Sequence, residues 1–392
     1  MQVTRQITND ITYVGVSDRR LSLFENIFPI PRGVSYNSYI INDEKTALID
    51  AVDYDSSRVF VENVKAALNG KTLDYIVVNH MEPDHAGSLR LICDLYPDAA
   101  LVATKKAVDM MAQFFGDELK NEKIVVKEGD TVSLGKHELS FYTAPMVHWP
   151  EVMMTYDAVS KTLFSADGFG TFGDSRNRIS WIVEARRYYF NIIGKYGTSV
   201  QNVLKKAENL DIKNIAPLHG PALGKDVSEY IEYYKKWSSY EPEKSGVLIA
   251  YASPHGNTKE AALYMKKLLE DRGEKVVVID LNRGDMARAV EGAFCFDRTV
   301  IAGTTYDGAL FPSVMDFLYH LQVKNFQKRT FGIIENGSWA PSSGRRIKDE
   351  LGKMKEITVL DPIVSIRTQK KPADDSQFAA LADALVMAGK NN

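Results

Sequence analysis

The chain has 392 residues, 45% of them hydrophobic and 25% charged, with a formal net charge of −3. That length and apolar content can bury a large core spread over two or three domains. A charge so close to neutral gives no electrostatic case for nucleic acid or an anionic membrane as partner. The opening residues Met1-Gln2-Val3-Thr4-Arg5 lack the apolar core of a signal peptide, and no 18-residue apolar run occurs, so a cytoplasmic protein without a membrane span is expected. Only two cysteines occur, Cys93 and Cys295, without a C-x-x-C. Disulfide scaffolds, zinc ribbons and in-chain iron–sulfur modules are thereby excluded, and any metal must be held mainly by histidine and carboxylate.

Residues from about 3 to 53 read as short strands at 12–16, 38–41 and 46–50, punctuated by Gly33 and Asn42-Asp43. Over 56–68, Phe60, Val64, Ala67 and Leu68 keep helical spacing, and Gly70 closes the helix. The apolar run 75–78 predicts a buried strand, and just past it stands His80-Met81-Glu82-Pro83-Asp84-His85. Imidazole nitrogen together with carboxylate oxygen suits divalent metals of intermediate hardness, iron and zinc foremost. A turn at a strand end breaks the alternation of faces, so such side chains can be aimed at one point. H-x-E alone would be a polar turn; H-x-E-x-D-H is dense enough to mark a metal site.

A helix at 86–95 closed by Pro97 follows, then a strand–helix unit at 100–115 and β-rich stretches at 123–142 and 152–166. This β, α, β order predicts two packed sheets flanked by helices. Three more candidate ligands stand past apolar runs. His148 follows 141–147, Asp167 follows 162–166 and precedes Gly168-Phe169-Gly170, and His219 follows 215–218 and precedes Gly220-Pro221. Of the seven histidines, four (His80, His85, His148 and His219) lie at or just past strand ends in the first 220 residues. A repeated topological position points to one converging site.

The polar stretch 238–246, with Pro242 and Gly246, reads as a linker between domains at 1–240 and 246–392. Beyond it, strands at 247–251, 275–280, 299–302, 330–334 and near Val364 alternate with helices at 258–271, 311–321 and 344–353, and 378–388 reads as a terminal helix. This is the pattern of a doubly wound parallel sheet, whose ligands bind past the carboxyl ends of its strands. Those ends run into Ser253-Pro254-His255-Gly256-Asn257-Thr258, Gly303-Thr304-Thr305-Tyr306-Asp307-Gly308 and Glu335-Asn336-Gly337-Ser338-Trp339. The first loop resembles the flavodoxin phosphate loop S/T-x-T-G-x-T, with His255 in place of the middle Thr. Hydroxyls of Ser253 and Thr258 with backbone N–H groups at the helix start can cradle a phosphate without Lys or Arg. The flat rings of Tyr306 and Trp339 beside it suit an isoalloxazine, and flavin mononucleotide (FMN) fits best. No Gly-x-x-x-x-Gly-Lys-Ser/Thr and no Gly-x-Gly-x-x-Gly occurs, which argues against a nucleoside triphosphatase and a dinucleotide fold.

The set His80-x-Glu82-x-Asp84-His85 with His148, Asp167 and His219 resembles the metal frame of the metallo-β-lactamase fold, which normally reads H-x-H-x-D-H and holds zinc. Glu82 in place of the second His is the pattern of the flavodiiron proteins, and the resemblance covers nearly the full chain. It implies an α/β multidomain chain, an N-terminal αββα metallo-β-lactamase-like sandwich followed by a flavodoxin-like doubly wound sheet. A hard anionic ligand favours ferric iron and a carboxylate-bridged pair over zinc. Carried over by position, one iron takes His80, Glu82 and His148, the other Asp84, His85 and His219, and Asp167 bridges them. His85 is the ligand most easily displaced by water, since Asp84 already anchors the same metal. The FMN contacts implied are Ser253, Pro254, His255, Gly256, Asn257, Thr258, Thr304, Thr305, Tyr306, Asp307, Gly308, Asn336, Gly337, Ser338 and Trp339.

The activity implied is reduction of dioxygen to water, or of nitric oxide to nitrous oxide, with the iron pair and the reduced FMN supplying two electrons each. Electrons would come from a separate donor: rubredoxin, another carrier, or a reduced deazaflavin. A linker of nine residues reaches at most about 30 Å, whereas domains of this size are about 35–40 Å across. The resemblance accordingly implies a head-to-tail homodimer, or a dimer of such dimers, in which one subunit's flavin faces the other's irons. Two other readings compete: a binuclear zinc hydrolase with an appended flavodoxin domain, and an electron-transfer module with a structural metal site.

Overall fold

The computed structural model describes residues 4–174 and 181–390; the start of the strand region expected from residue 3 lies outside them. The chain divides into two compact units, Met1–Tyr189 with Thr198–Lys235, and Phe190–Gly197 with Lys236–Asn392. Phe190–Gly197, expected in the first domain, groups with the second unit.

The first unit holds a seven-stranded and a five-stranded sheet. In the larger, Thr46–Ile49, Tyr75–Val78, Ala100–Thr104 and Lys123–Val126 run parallel, and the strands before them antiparallel. The smaller is a meander from Thr131–Ser133 to Thr162–Phe164, to which Asn214–Ala216 adds in parallel. Tyr39, Ile49, Val77 and Val102 of the one and Leu139, Phe141, Met153 and Phe164 of the other are buried in a single cluster, so the sheets pack face to face. The helix Ser57–Leu68 buries Phe60, Val64 and Leu68, the stripe that its spacing predicts, and ends at Asn69 in the left-handed conformation.

The second unit is a sheet ordered Val276–Asp280, Lys244–Tyr251, Phe296–Tyr306 and Gln327–Asn336, with Lys355–Val359 and Val364–Ile366 both pairing with the last. All these pairings are parallel, and the first strand in sequence lies second in space, the flavodoxin-like order. Helices Asn257–Glu270 and Asp375–Lys390 cover Val247, Ile249, Val300 and Ile334 through Ala261, Met265, Phe378, Leu381 and Leu385. Among the described residues, no helix is long and apolar enough to cross a membrane.

Candidate metal centre and phosphate loop

The seven predicted ligands come from strand ends of both sheets of the first unit. His80 lies two residues past Tyr75–Val78, and Glu82 caps the single helical turn Pro83–Ala86 that carries Asp84 and His85. His148 is in the connection between Glu138–Thr143 and Met153–Asp157. Asp167 follows Thr162–Phe164, and His219 follows Asn214–Ala216.

The side chains converge into two groups, His80, Glu82, His148 and Asp167 in one, and Asp84, His85 and His219 in the other. Within each group the ligand atoms lie within 4.8 Å of one another. In the first, His148 Nε2 is 3.0 Å from Glu82 Oε2 and 3.1 Å from Asp167 Oδ2, and His80 Nε2 is 3.2 Å from Glu82 Oε2. In the second, His85 Nε2 is 3.1 Å from His219 Nε2, and Asp84 Oδ2 is 3.4 and 3.3 Å from these two nitrogens. Asp167 serves both: while Oδ2 faces the first group, Oδ1 lies 3.2 Å from His85 Nε2 and 3.8 Å from His219 Nε2.

Hydrogen bonding on the far side of two rings sets their tautomers. His219 Nδ1 is 2.8 Å from the carbonyl oxygen of Ser35, which only accepts, so Nδ1 carries the hydrogen and neutral Nε2 presents a lone pair to the site. His80 Nδ1 is 2.8 Å from Glu151 Oε1, which also accepts from the Met81 N–H at 2.9 Å, and the same logic frees His80 Nε2. Asp50 fixes the strand end beneath, accepting from the N–H groups of Asn79 at 2.7 Å and His80 at 3.2 Å.

Two imidazole nitrogens facing each other, and lone pairs facing carboxylates, form an arrangement that a metal ion reconciles. Both carboxylate oxygens of Asp84, Oδ1 of Asp167 and Nδ1 of His85 are buried without a hydrogen-bond partner. Three carboxylates and four imidazoles fit a pair of ions of intermediate hardness. Without metal, the groups hold one another as ions. Burial alone would raise Asp167 and Glu82, yet the charges of His80 and His85 hold Asp167 well below the usual carboxylate range, and hydrogen bonds from His148 and His80 do the same for Glu82. Burial would likewise lower His148, but hydrogen bonds to Asp167 and Glu82 raise it to about 9. Glu25 stands beside Glu82 with its carboxyl pushed up to about 7, first by desolvation and then by the Glu82 charge.

Sequence reading missed Glu151, Asp50, Glu25 and the Ser35 carbonyl. Glu151 had one signal, its place three residues after His148 in the same loop; the others have none, because each reaches the site through the fold.

In the second unit, the three predicted loops share the carboxyl-end rim of the sheet. Gly256, at φ +95°, caps the 14-residue helix Asn257–Glu270, a conformation that favours glycine. Ser253 Oγ accepts from the Gly256 N–H at 3.0 Å, and buried Thr258 Oγ1 from Asn336 Nδ2 at 3.2 Å. Each hydroxyl thus keeps its own hydrogen for a ligand, and the helix start adds unpaired N–H groups and a positive dipole end, so the loop fits a phosphate. Pro254, His255 and Asn257 lie in the same loop. Thr304 Oγ1 donates to the Asn336 carbonyl, and Thr305 Oγ1 accepts from Ser342 and Ser343 N–H. Asp307 and Gly308, both at positive φ, form the two-residue turn of a hairpin pairing Tyr306 with Ala309. Gly337 and Ser338 follow Asn336, and Thr368, missed in the sequence, ties Ser338 Oγ and Asn336 together. The rings of Tyr306 and Trp339 stand 46% and 87% exposed, open to a planar partner.

Comparison with known proteins covers most of the chain. A family model described as "ODP family beta lactamase" matches residues 34–220. A "Nitric oxide reductase" of Moorella thermoacetica is 31% identical over 369 residues, 91% of this chain and 91% of that protein. An "Anaerobic nitric oxide reductase flavorubredoxin" of Aliivibrio salmonicida is 30% identical over 363 residues, 89% of this chain and 72% of that protein. Among solved structures, the rubredoxin oxygen:oxidoreductase of Desulfovibrio gigas superposes with a TM-score of 0.91 at 24% identity, covering 99% of each chain. The flavodiiron protein of Giardia intestinalis does so at 0.90 and 24%, covering 99% of this chain and 98% of that one. With sequence relatives of this identity and coverage, the chain belongs to the flavodiiron protein family.

Proposed function

We propose that this protein is an oxidoreductase that reduces dioxygen to water, or nitric oxide to nitrous oxide, at a non-haem di-iron centre fed through FMN. The observation that carries the reading is the shared carboxylate: two ligand groups that each hold imidazole and carboxylate, with the two oxygens of Asp167 divided between them. His80, Glu82 and His148 would hold one ion and Asp84, His85 and His219 the other, with Asp167 placed to serve both. When bound, the iron pair supplies redox electrons and binds the small substrate.

The chain's own residues prepare that chemistry. Glu151 and the Ser35 carbonyl lock His80 and His219 in the tautomers that present Nε2. Glu25 stands beside Glu82, where burial raises its carboxyl, and is placed to exchange protons with the site, where both reductions consume them. Ser253, Thr258 and the start of the helix Asn257–Glu270 hold the FMN phosphate, and the rim carrying Tyr306 and Trp339 holds the ring system.

A separate electron donor (rubredoxin, another carrier or a reduced deazaflavin) and a head-to-tail homodimer, or a dimer of such dimers, belong to the same proposal. So does a cytoplasmic location, which two buried free cysteines support. The hydrolase alternative finds no support, since the relatives named above are reductases. Metal analysis with an oxygen or nitric oxide electrode tests the proposal. Iron and flavin with gas consumption on reduction are expected; stoichiometric zinc with no gas consumption would overturn it.

A further inference from the structure

On the helix-covered face of the smaller sheet lies a cavity lined mainly by apolar side chains, among them Met154, Leu163, Phe169, Val203, Ile215 and Ile231, with Glu208 the one charged residue. It sits between the strands Met153–Asp157, Thr162–Phe164 and Asn214–Ala216 and the helices Gly197–Ala207 and Ser228–Ser238. About 40 Å³ of it is open to the centre of a water-sized sphere. That exceeds the roughly 10–15 Å³ that a single water needs, and apolar cavities stay dry while taking up apolar guests.

The chain links this space to the metal centre through Asp167, Gly168 and Phe169. Phe169 lines the cavity and stands two residues after Asp167, with its ring stacked on Tyr234 at 4.2 Å and its N–H donating to Tyr234 Oη at 2.6 Å. Between them, Gly168 has no side chain: a Cβ there would meet Met154 Cε, another lining group, at 3.1 Å and the Ser165 carbonyl at 2.9 Å. The lining therefore reaches within one residue of the bridging ligand.

We propose that this cavity is a holding site for the apolar diatomic substrate, raising its local concentration beside the metals. The inference rests on the proposed function for the identity of the guest. A dry pocket accepts dioxygen or nitric oxide, which carry little polarity, and rejects water and ions, which would have to shed hydrogen bonds to enter. Met154, Leu163 and Phe169 would form its inner end, and Val203, Ala207 and Ile231 its outer end.

Two measurements on the holoprotein decide it. Crystals pressurised with xenon should show anomalous density among Met154, Leu163 and Phe169; an empty cavity overturns the proposal whatever the enzyme does. Ala207→Phe, which fills the space, should raise KM for the gas about threefold or more with kcat, iron and flavin content unchanged. An unchanged KM in a folded variant also overturns it. Should Ala207→Phe misfold, Ile231→Phe on the neighbouring helix asks the same question. A wild-type protein that reduces neither gas would sink the functional reading instead, and the xenon result would still decide whether the cavity takes up apolar guests.

Discussion

Replacing Glu151 isolates the contribution of a residue that touches no metal. Its carboxylate accepts from His80 Nδ1 at 2.8 Å and from the Met81 N–H at 2.9 Å, so one buried group both fixes the ring and anchors the chain that precedes Glu82. A hydrogen bond to a charged group contributes about 1.5–3 kcal/mol, and losing the outer partner of a ligating histidine typically costs about 10–100-fold in metal affinity. Glu151→Gln keeps the shape and an accepting oxygen but removes the charge, which places it near the tenfold end. Glu151→Ala also frees His80 to change tautomer and belongs near the hundredfold end. The assay is iron retention against a graded chelator, read beside thermal unfolding and the ligand-field spectrum. If both folded variants held iron as firmly as the wild type, His80 would not be a ligand held in this tautomer, and the assignment of the first metal group would fail.

Three further outcomes are expected. Glu82→His should lower iron occupancy and gas reduction and admit zinc, with the circular dichroism of the fold preserved; metal analysis of the purified variant checks it. Ser253→Ala with Thr258→Ala removes two hydroxyl donors to the phosphate, at about 1.5–3 kcal/mol each, and should empty the flavin site at low FMN in a fluorescence titration. Full occupancy there would reject the loop. Metal-free protein should lose stability as pH rises: His148 is raised from 6.5 to about 9, so its contribution is full below 6.5 and gone above about 9. With metal bound, His148 is a neutral ligand and denaturant midpoints over that range should vary much less; identical profiles with and without metal would count against the ligand set.

The site was legible where chemistry is packed into few residues. His80 to His85 announce themselves because four candidate ligands fall in six positions, and the first phosphate loop because it ends a strand and starts a helix. His219 gains meaning only from its place at a strand end, shared with His148 and Asp167. The helix Met286–Cys295 escaped because nearly every residue from Ala287 to Cys295 is buried and its polar side is only Arg288 and Glu291, one i,i+3 pair in a short segment. Its one signal was Asp285, whose side chain accepts from the Ala287 N–H. The strand Lys355–Val359 begins with two exposed charged residues, and its pairing is set by Gln327–Asn336 rather than by its own composition.

That the ligands come from both sheets gives the metals a place in the order of assembly. The segment His80 to His85 and the trio His148, Asp167 and His219 belong to strand ends of different sheets, so neither sheet can close a coordination sphere before the sandwich forms. Metal capture is thereby a late event in maturation, a clasp that shuts one rim of an already folded domain. Chains synthesised without iron should consequently be folded but held at that rim only by the ion pairs among the ligands. Amide exchange there should be fast around Asn79 to Ser88 and around Ala166 to Thr171, slow in the central strands, and abruptly slowed at the rim when iron is added.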